Sequence, residues 1–221
     1  MKSGSEKEIK LLIFDLDGTL ADTIWSIREA VNLAMVKNGY PERSYDEVRL
    51  AIGNGARKLI SRSMPSDAAA DESTLKKVYT EYEEYYDETY IHCTCCYDGM
   101  LEALIELKGR GYTVAVLSNK QDKYVKPLAR SLAPNIVSLA MGQTELPIKP
   151  DPTAPTFIAR TLGFENGECA FIGDSEVDVE TAKNAGMVSV ACSWGYRSKE
   201  LLASMSPDYL IDEPKALTEI F

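Results

Sequence analysis

Short apolar segments alternate with helical patterns along the second half of the chain, and this alternation constrains the fold more than any other feature. Four segments have the composition of buried strands: YTVAVLSN (112–119), NIVSLA (135–140), CAFIGD (169–174) and MVSVAC (187–192). Helical patterns separate them, and Pro127 is expected in the first turn of one of these helices. Strands that alternate with helices pair in parallel through right-handed crossovers. The sequence therefore predicts an α/β fold with a doubly wound, Rossmann-like parallel sheet.

The first half of the chain is organised differently. An apolar run over residues 9–15 predicts the first strand, but only helical patterns follow it as far as about residue 90. The tyrosines of segment 71–90 keep helical spacing, and we interpret them as one face of an amphipathic helix, not as a ligand platform. We therefore predict a core formed by residues 1–21 and 93–221, interrupted by an α-helical cap over residues 22–92.

The composition argues against several classes of protein. A net charge of −10 disfavours binding to nucleic acid or anionic membranes, and no apolar run approaches the roughly 20 residues that span a bilayer. The opening MKSGSEKEIK lacks the apolar segment of a secretory signal. We expect a cytoplasmic protein, a monomer or a homodimer, with neither nucleic acid nor membrane as a partner.

The five cysteines do not read as a disulfide framework, because their number is odd and three of them crowd into HCTCC (92–96). Cys93 and Cys96 form a C-x-x-C pair beside His92. A zinc site normally needs a second such pair or further spaced histidines, and the sequence has neither. We interpret this segment as small side chains packed in the linker between cap and core.

Polar side chains follow four of the predicted strands, at the point where each strand ends. These residues are Asp15, Asp17, Ser118, Asn119, Lys149, Asp174 and Asp178. The carboxyl ends of parallel strands meet at one edge of the sheet, and ligands bind there in open α/β folds. We therefore expect widely separated segments to form a single site.

The acids of this set need a cation. Asp15, Asp17 and Asp174 cannot all remain ionised in one cleft without one, and their hard oxygens suit Mg²⁺, which also binds substrate phosphate. Lys149 adds a positive charge and Ser118 a hydroxyl donor. Such a cleft can stabilise the oxygens of a phosphoryl group during its transfer.

The DLDGT segment supplies the groups that would react. A carboxylate can attack phosphorus and form an aspartyl-phosphate, and Asp15 at the strand tip is the candidate nucleophile. Asp17 is the candidate acid and base, which protonates the leaving oxygen and then deprotonates water. Gly18 permits a tight turn whose N–H groups can face the phosphate. Thr19 and Asn119 complete the candidate phosphate-binding residues.

Four motifs look like the signatures of the haloacid dehalogenase superfamily, in the expected order: DLDGT (15–19), LSNK (117–120), IKPDP (148–152) and GDSEVD (173–178). The resemblance covers essentially the whole chain, including the helical insert. Within the superfamily the chain is most similar to the phosphoglycolate phosphatase-like group, and GNGARKLI (53–60) contributes to that impression. One departure is YDGM (97–100), where relatives more often carry YPGM.

The resemblance implies a role for each motif residue. Asp15 would be the nucleophile and Asp17 the general acid and base, while Ser118 and Lys149 would contact the phosphoryl group. Three ligands of Mg²⁺ are implied: Asp15, the main-chain carbonyl of Asp17, and Asp174. Asp178 would support the metal site, usually through water; the alternative for this residue is an exposed position on a helix.

The segment GNGARK (53–58) of the predicted cap has two interpretations. Glycines before a helix can present free N–H groups to an anion, and Arg57 and Lys58 add charge. This turn would then bind the carboxylate or other non-reacting end of the substrate. A plain loop that leads into a helix explains the pattern equally well.

We expect a Mg²⁺-dependent phosphatase that hydrolyses a small phosphorylated metabolite through an aspartyl-phosphate, with phosphoglycolate favoured by the resemblance alone. A sugar-phosphate mutase of the same superfamily is an alternative, and it would need priming by a bisphosphate. A non-catalytic binding or regulatory module would carry damaged motifs, and none is damaged here. A dehalogenase needs no Mg²⁺ and ordinarily lacks an acid at the position of Asp17. The cap decides the substrate, and its sequence carries no readable code for it.

Overall fold

The computed structural model describes residues 8–221. Residues 1–7 lie outside the described residues, and with them most of the opening segment and the start of the predicted core. The described strands are β1 (Leu11–Phe14), β2 (Ala21–Asp22), β3 (Cys95–Cys96), β4 (Thr113–Gln121), β5 (Val137–Gln143), β6 (Cys169–Gly173), β7 (Val188–Cys192) and β8 (Tyr209–Ile211). Six of them form one sheet in the order β5-β4-β1-β6-β7-β8, and each neighbouring pair is parallel. The predicted doubly wound α/β fold is confirmed.

Helices connect the strands and cover the sheet. Within the described part of the chain they are α1 (Ile24–Lys37), α2 (Tyr45–Ala51), α3 (Ala56–Ser63), α4 (Ser66–Ala70), α5 (Glu72–Thr89), α6 (Met100–Gly109), α7 (Asp122–Leu132), α8 (Thr153–Thr161), α9 (Glu176–Ala185), α10 (Lys199–Ser204) and α11 (Leu217–Ile220). Short 3₁₀ helices lie at Asn166–Glu168 and Pro214–Ala216. No described helix has the length and apolar character needed to cross a membrane.

Strand β1 lies inside the sheet and is buried on both faces. Leu12 and Phe14 belong to one apolar cluster, and Leu11 and Ile13 belong to a second cluster on the opposite face. This division follows from the alternation of side chains along a strand. It also explains why β1 reads as an uninterrupted apolar run, which is typical of parallel strands covered by helices.

The strand order places a switch point next to β1. The chain adds β4 and β5 on one side of β1 and then crosses to add β6, β7 and β8 on the other side. Ligands of open α/β sheets bind beyond the carboxyl ends of the strands at such a point. The motif residues at the carboxyl ends of β1, β4 and β6 therefore meet in one region.

The helices α1 to α5 lie within the predicted insert 22–92, whose exact limits stay a prediction. Helix α2 begins with a capping box, in which Ser44 accepts from the Glu47 amide and Glu47 accepts from the Ser44 amide. The two connections to the core pair as antiparallel strands, with Ala21 opposite Cys96. This two-residue ladder has too few residues to give a strand pattern in the sequence.

Two local expectations were wrong. Pro127 lies inside α7 and not in its first turn. Burial of Tyr124, Val125 and Leu128 on the same helix stabilises α7 although the proline lacks an N–H donor. The cysteine segment is not packed throughout, because Cys93 and Cys95 are exposed to solvent and only Cys96 is partly buried.

Candidate active site

Three carboxylates meet where β1 and β6 end. Asp15 directly follows β1, Asp174 directly follows β6, and Asp178 lies in the first turn of α9. One oxygen from each side chain lies within 4.8 Å of the others, and all three residues are buried. The alternative that Asp178 is an exposed helix residue is therefore wrong, since the residue is 1% exposed.

Lys149 lies between two of these acids. Its Nζ is 2.7 Å from Asp178 Oδ1, with which it forms a hydrogen bond, and 2.9 Å from Asp15 Oδ1. Burial lowers the pKa of Lys149, but the charges of Asp15 and Asp178 outweigh burial and raise it above its ordinary value. The lysine is therefore charged in the folded protein and offsets part of the negative charge of the acids.

Asn119 fixes the main chain of Lys149. Its Oδ1 accepts from the Lys149 amide at 2.9 Å, and its Nδ2 donates to the Lys149 carbonyl at 3.1 Å. The same Nδ2 also lies 3.1 Å from the carbonyl of Gly53 in the cap. Asn119, predicted to bind phosphate, is thus occupied with main-chain groups of the core and the cap.

The charged forms of Asp15 and Asp174 are unfavourable in this buried site, and a bound cation would stabilise them. Burial raises the pKa of Asp15 to about 7 against the opposing charge of Lys149. Burial also raises the pKa of Asp174, and the charges of Asp178 and Asp15 add to that effect. Asp15 Oδ1 is buried and has no hydrogen bond of acceptable geometry, although Lys149 lies near it.

These donors fit a hard divalent cation. Each of the three side chains offers a carboxylate oxygen, the ligand type that Mg²⁺ prefers, and one such oxygen lacks a hydrogen-bond partner. Among residues 8–221 this is the one group of three or more histidine, cysteine or carboxylate side chains close enough together to hold a metal ion. The HCTCC segment forms no such group there.

Asp17 has separate partners. Its Oδ1 accepts from the Thr23 hydroxyl and from Lys120 Nζ, each at 2.5 Å. Thr23 also exchanges a hydrogen bond with the Tyr196 hydroxyl at 3.1 Å. The carboxylate of Asp17 is therefore held in place beside the three-acid cluster, on the turn that follows β1.

The turn after β1 also fixes the position of the Asp174 carboxylate. Gly18 has a φ of +87°, and a Cβ at this position would lie 2.4 Å from Asp174 Oδ2. The Thr19 hydroxyl donates to Asp174 Oδ1 at 3.1 Å, and the Tyr196 amide donates to Asp174 Oδ2 at 2.6 Å. The structure thus engages Thr19, a predicted phosphate-binding residue, with the carboxylate of Asp174.

A cavity joins these groups to the cap. The cavity is partly open to solvent, and Asp15, Asp17, Ser118 and Lys149 line its core side. Ser118 lies in the buried part of β4, and its Oγ accepts from the Lys120 amide at 3.2 Å. The cap contributes these lining residues: Ile27, Ile52, Gly53, Gly55, Ala56, Leu59, Tyr82 and Tyr86.

Arg57 and Lys58 do not line this cavity. Arg57 pairs with Glu72 at the surface of the cap, and both Arg57 and Lys58 are exposed. Helix α3 turns Leu59 and Ile60 inward, which directs the two preceding residues away from the site. The glycines of GNGARK reach the cavity, but the charges do not.

Several lining residues were not expected from the sequence: Tyr82, Tyr86, Lys120, Tyr196 and Arg197. Lys120 directly follows the predicted Ser118 and Asn119 near the end of β4, and this position was a usable signal. Tyr82 and Tyr86 are four residues apart and share a helix face, which was interpreted as packing alone. Arg197 lies in a loop and had no local signal.

The fold and this acidic site define the class of the protein. Residues 12–192 match the family model described as haloacid dehalogenase-like hydrolase, and the chain belongs to that family. The resemblance predicted from the four motifs is confirmed.

Individual relatives show which group of the family the chain is similar to. The chain is 30% identical to phosphoglycolate phosphatase of Vibrio parahaemolyticus, covering 98% of this chain and 97% of that protein. It is 34% identical to phosphoglycolate phosphatase 1 of Pseudomonas aeruginosa, covering 94% and 78%. A crystal structure of a "predicted phosphoglycolate phosphatase" from Haemophilus somnus superposes with a TM-score of 0.89 at 30% identity, covering 97% of this chain and 98% of that one.

Proposed function

We propose that the protein is a Mg²⁺-dependent phosphatase that hydrolyses a small phosphorylated acid of the phosphoglycolate type through an aspartyl-phosphate. The chain is a phosphoric monoester hydrolase of the haloacid dehalogenase family, as its relatives' names support. The observation that carries the proposal is the buried group of Asp15, Asp174 and Asp178 beside Lys149, in which Asp15, Asp174 and Lys149 line a cavity.

Asp15 performs the first step. Its carboxylate oxygen forms a bond to phosphorus, and the ester P–O bond breaks. Asp17 donates a proton to the leaving oxygen, and Thr23 and Lys120 hold its carboxylate for this transfer. In the second step Asp17 accepts a proton from water as the water oxygen attacks phosphorus. The bond from phosphorus to Asp15 then breaks, and inorganic phosphate leaves.

Charge stabilisation is the main task of the other residues. Lys149 and Ser118 face the phosphoryl oxygens, and the lysine is 3% exposed, so little solvent screens its charge. Mg²⁺, held by Asp15, Asp174 and Asp178 together with the Asp17 carbonyl implied by the motifs, would neutralise charge on the transferring group.

The non-reacting end of the substrate lies toward the cap. Lys120 lines this part of the cavity with Tyr82 and Tyr86; its Nζ pairs with Asp17 and lies 5.0 Å from the centre of the Tyr86 ring. In phosphoglycolate one methylene group separates the carboxylate from the phosphate ester oxygen. A carboxylate so close to the phosphate could pair with one cation in a small aromatic pocket. In this proposal Lys120 takes the role that the sequence suggested for Arg57 and Lys58.

The location and assembly of the protein are part of the same proposal. All five cysteines are free, which supports the reducing environment of a cytoplasm. A monomer or homodimer without nucleic acid or membrane partners remains the prediction, in keeping with the net charge of −10.

Asp15→Asn tests the mechanism. Phosphate release from phosphoglycolate should require Mg²⁺, stop with EDTA, and fall by on the order of 10³-fold or more in the variant. Acid quenching with ³²P-labelled substrate should trap a hydroxylamine-labile phosphoprotein in the wild type and none in Asp15→Asn. Asp98→Asn, an exposed aspartate in the linker, is the control and should match the wild type.

Two outcomes would favour the alternatives. A requirement for bisphosphate priming, with slow release of inorganic phosphate, would indicate a mutase. Absence of turnover across a broad panel of phosphate esters would indicate a binding or regulatory module. Full activity of Asp15→Asn would overturn the aspartyl-phosphate mechanism.

A further inference from the structure

Arg197 connects the core to the cap. It lies in the loop after β7, and its side chain is almost completely buried. Its Nη2 donates to the Ile52 carbonyl at 2.7 Å and its Nη1 to the Arg49 carbonyl at 3.2 Å. Its Nε donates to Glu176 Oε2 at 2.9 Å. One guanidinium therefore contacts the cap and the core at the same time.

The two cap carbonyls lie at the C-terminal end of α2. The last carbonyls of a helix have no partner within the helix and need donors from elsewhere. A cation placed there also interacts favourably with the negative end of the helix dipole. Arg62, on α3 of the cap, donates to the Ala51 carbonyl at 3.0 Å, whereas Arg197 reaches Arg49 and Ile52 from the core. A core residue thus supplies hydrogen-bond donors to the C-terminal end of a cap helix.

Other contacts between core and cap converge on the end of α2 and on residues 52–55, the turn between α2 and α3. Arg49 donates from Nη1 to the Tyr196 carbonyl at 2.5 Å, and Asn119 donates to the Gly53 carbonyl at 3.1 Å. Gly53 has a φ of +122°, and a Cβ there would lie 3.2 Å from Arg197 Nη2. The first glycine of GNG is therefore explained by close approach to the core, without an anion.

The same loop also contacts the acid cluster. The Tyr196 amide donates to Asp174 Oδ2, as described above, and Glu176 lies between Asp174 and Asp178 in sequence. Arg197 thus joins the segment that carries two of the acids to the turn that covers the cavity. A displacement of either element changes the geometry of the other through one buried side chain.

We propose that Arg197 is a positioning residue that fastens the cap turn 52–55 over the cavity and sets its distance from the acid cluster. Although it lines the cavity, its guanidinium nitrogens donate to Glu176, Arg49 and Ile52, so its proposed role is to hold the cap turn. Its effect is on enclosure of the substrate, because a closed cap excludes water and orders the groups around the phosphate. The kinetic part of this inference rests on the proposed phosphatase function, whereas the structural part does not.

Hydrogen–deuterium exchange tests the structural part on the full chain without substrate. Arg197→Ala should increase the exchange rate of amides in 49–56 by about tenfold, the factor expected from losing hydrogen bonds to a charged group. Lys199→Ala is the matched control, because Lys199 follows in the same segment but pairs at the surface with Asp212. Unchanged exchange in folded Arg197→Ala would overturn the inference, whatever the activity of the protein.

Kinetics test the effect on the reaction. In Arg197→Ala, the KM for phosphoglycolate should rise about tenfold with a smaller change in kcat, and guanidinium ion should restore part of the loss. Arg197→Lys should be intermediate, since one ammonium group cannot reach both carbonyls and Glu176. Altered exchange with an unchanged KM would show that the contact fastens the cap without positioning substrate, and would overturn the positioning role. If the wild type lacks phosphatase activity, only the proposed function fails, and the exchange result still decides the cap contact.

Discussion

Lys149 donates from its Nζ to Asp178 Oδ1 over 2.7 Å, and both side chains are almost completely withdrawn from solvent. Asp15 adds a second negative charge 2.9 Å from the same nitrogen. Removing one partner of a buried ion pair leaves the other charge without compensation, which is far more destabilising than losing a surface pair. The lysine therefore stabilises the fold, in addition to the contact with the phosphoryl group that is proposed for it.

Lys149→Ala should lower the free energy of unfolding in metal-free buffer by about 3–5 kcal/mol, because two buried acids lose their counter-charge. Mg²⁺ should recover more stability in this variant than in the wild type. Urea unfolding with EDTA and with Mg²⁺ measures both effects. Lys123→Ala, which breaks an exposed pair with Asp87, should change stability by at most about 1 kcal/mol. Equal losses in the two variants would contradict this account.

The raised pKa of Asp15 predicts an unusual dependence of stability on pH. The pKa is about 7 in the folded protein and 3.8 as an ordinary carboxyl, so between these values the folded state binds more protons than the unfolded state. The free energy of unfolding of the metal-free protein should therefore fall as the pH rises through this window, by up to about 1.4 kcal/mol per pH unit for one proton.

Mg²⁺ should counteract this trend. Metal binding requires deprotonated carboxylates, so the apparent affinity for Mg²⁺ and its stabilising effect should increase with pH over the same window. Urea unfolding at about pH 5 and about pH 8 with and without Mg²⁺ measures the difference. Asp15→Asn should reduce the slope in EDTA and leave the part that comes from Asp174, whose pKa is also raised by burial. A metal-free protein that is more stable at the higher pH would contradict the prediction.

Gly18 is predicted to be indispensable for a reason beyond its positive φ. In Gly18→Ala the new Cβ would meet the carboxylate of Asp174 at 2.4 Å. Gly163 has a similar φ, +84° against +87°, and nothing lies within 4 Å of its Cβ position. Both alanine variants should lose about 1–2 kcal/mol of stability from backbone strain. Only Gly18→Ala should also lose about 10²-fold in kcat/KM, because it displaces Asp174, a proposed metal ligand. Equal activity in both variants would remove Asp174 from the mechanism.

The features that could be predicted from the sequence are those that a pattern within one short segment encodes. The apolar run before Asp15 identifies a buried strand, and parallel pairing brings its end to the end of β6 and so to Asp174. The contacts within the site, and those between core and cap, depend on how two distant segments pack. Lys120 and Asp17 are 103 residues apart, and Arg197 and Ile52 are 145 residues apart. No periodicity in a single segment encodes such contacts.

The outward direction of the Arg57 side chain is a second feature that depends on packing and not on local sequence pattern. Its charge beside GNG suggested anion binding, but the direction of a helical side chain is fixed by which neighbours become buried. Leu59 and Ile60 pack inward in α3, so Arg57 and Lys58 face solvent. The turn itself contacts the core through Gly53. The glycine pattern thus recorded a close approach of two segments, which the sequence alone could not separate from a binding turn.

Tyr86 offers a test that separates binding from stability. Its hydroxyl is buried in the cavity wall without a hydrogen-bond partner, and the neighbouring Ser26 hydroxyl donates to the Thr23 carbonyl. Tyr86→Phe should therefore keep or slightly raise the free energy of unfolding, by up to about 1 kcal/mol, because an unpaired buried hydroxyl is unfavourable. The KM for phosphoglycolate should stay within about twofold of the wild-type value, because the hydroxyl is closed off from the cavity and phenylalanine keeps the ring that lines it. Tyr79→Phe, on the same helix, removes a donor to Glu83 and should lower stability. A markedly raised KM in Tyr86→Phe would show that the hydroxyl reaches the substrate and would contradict this account.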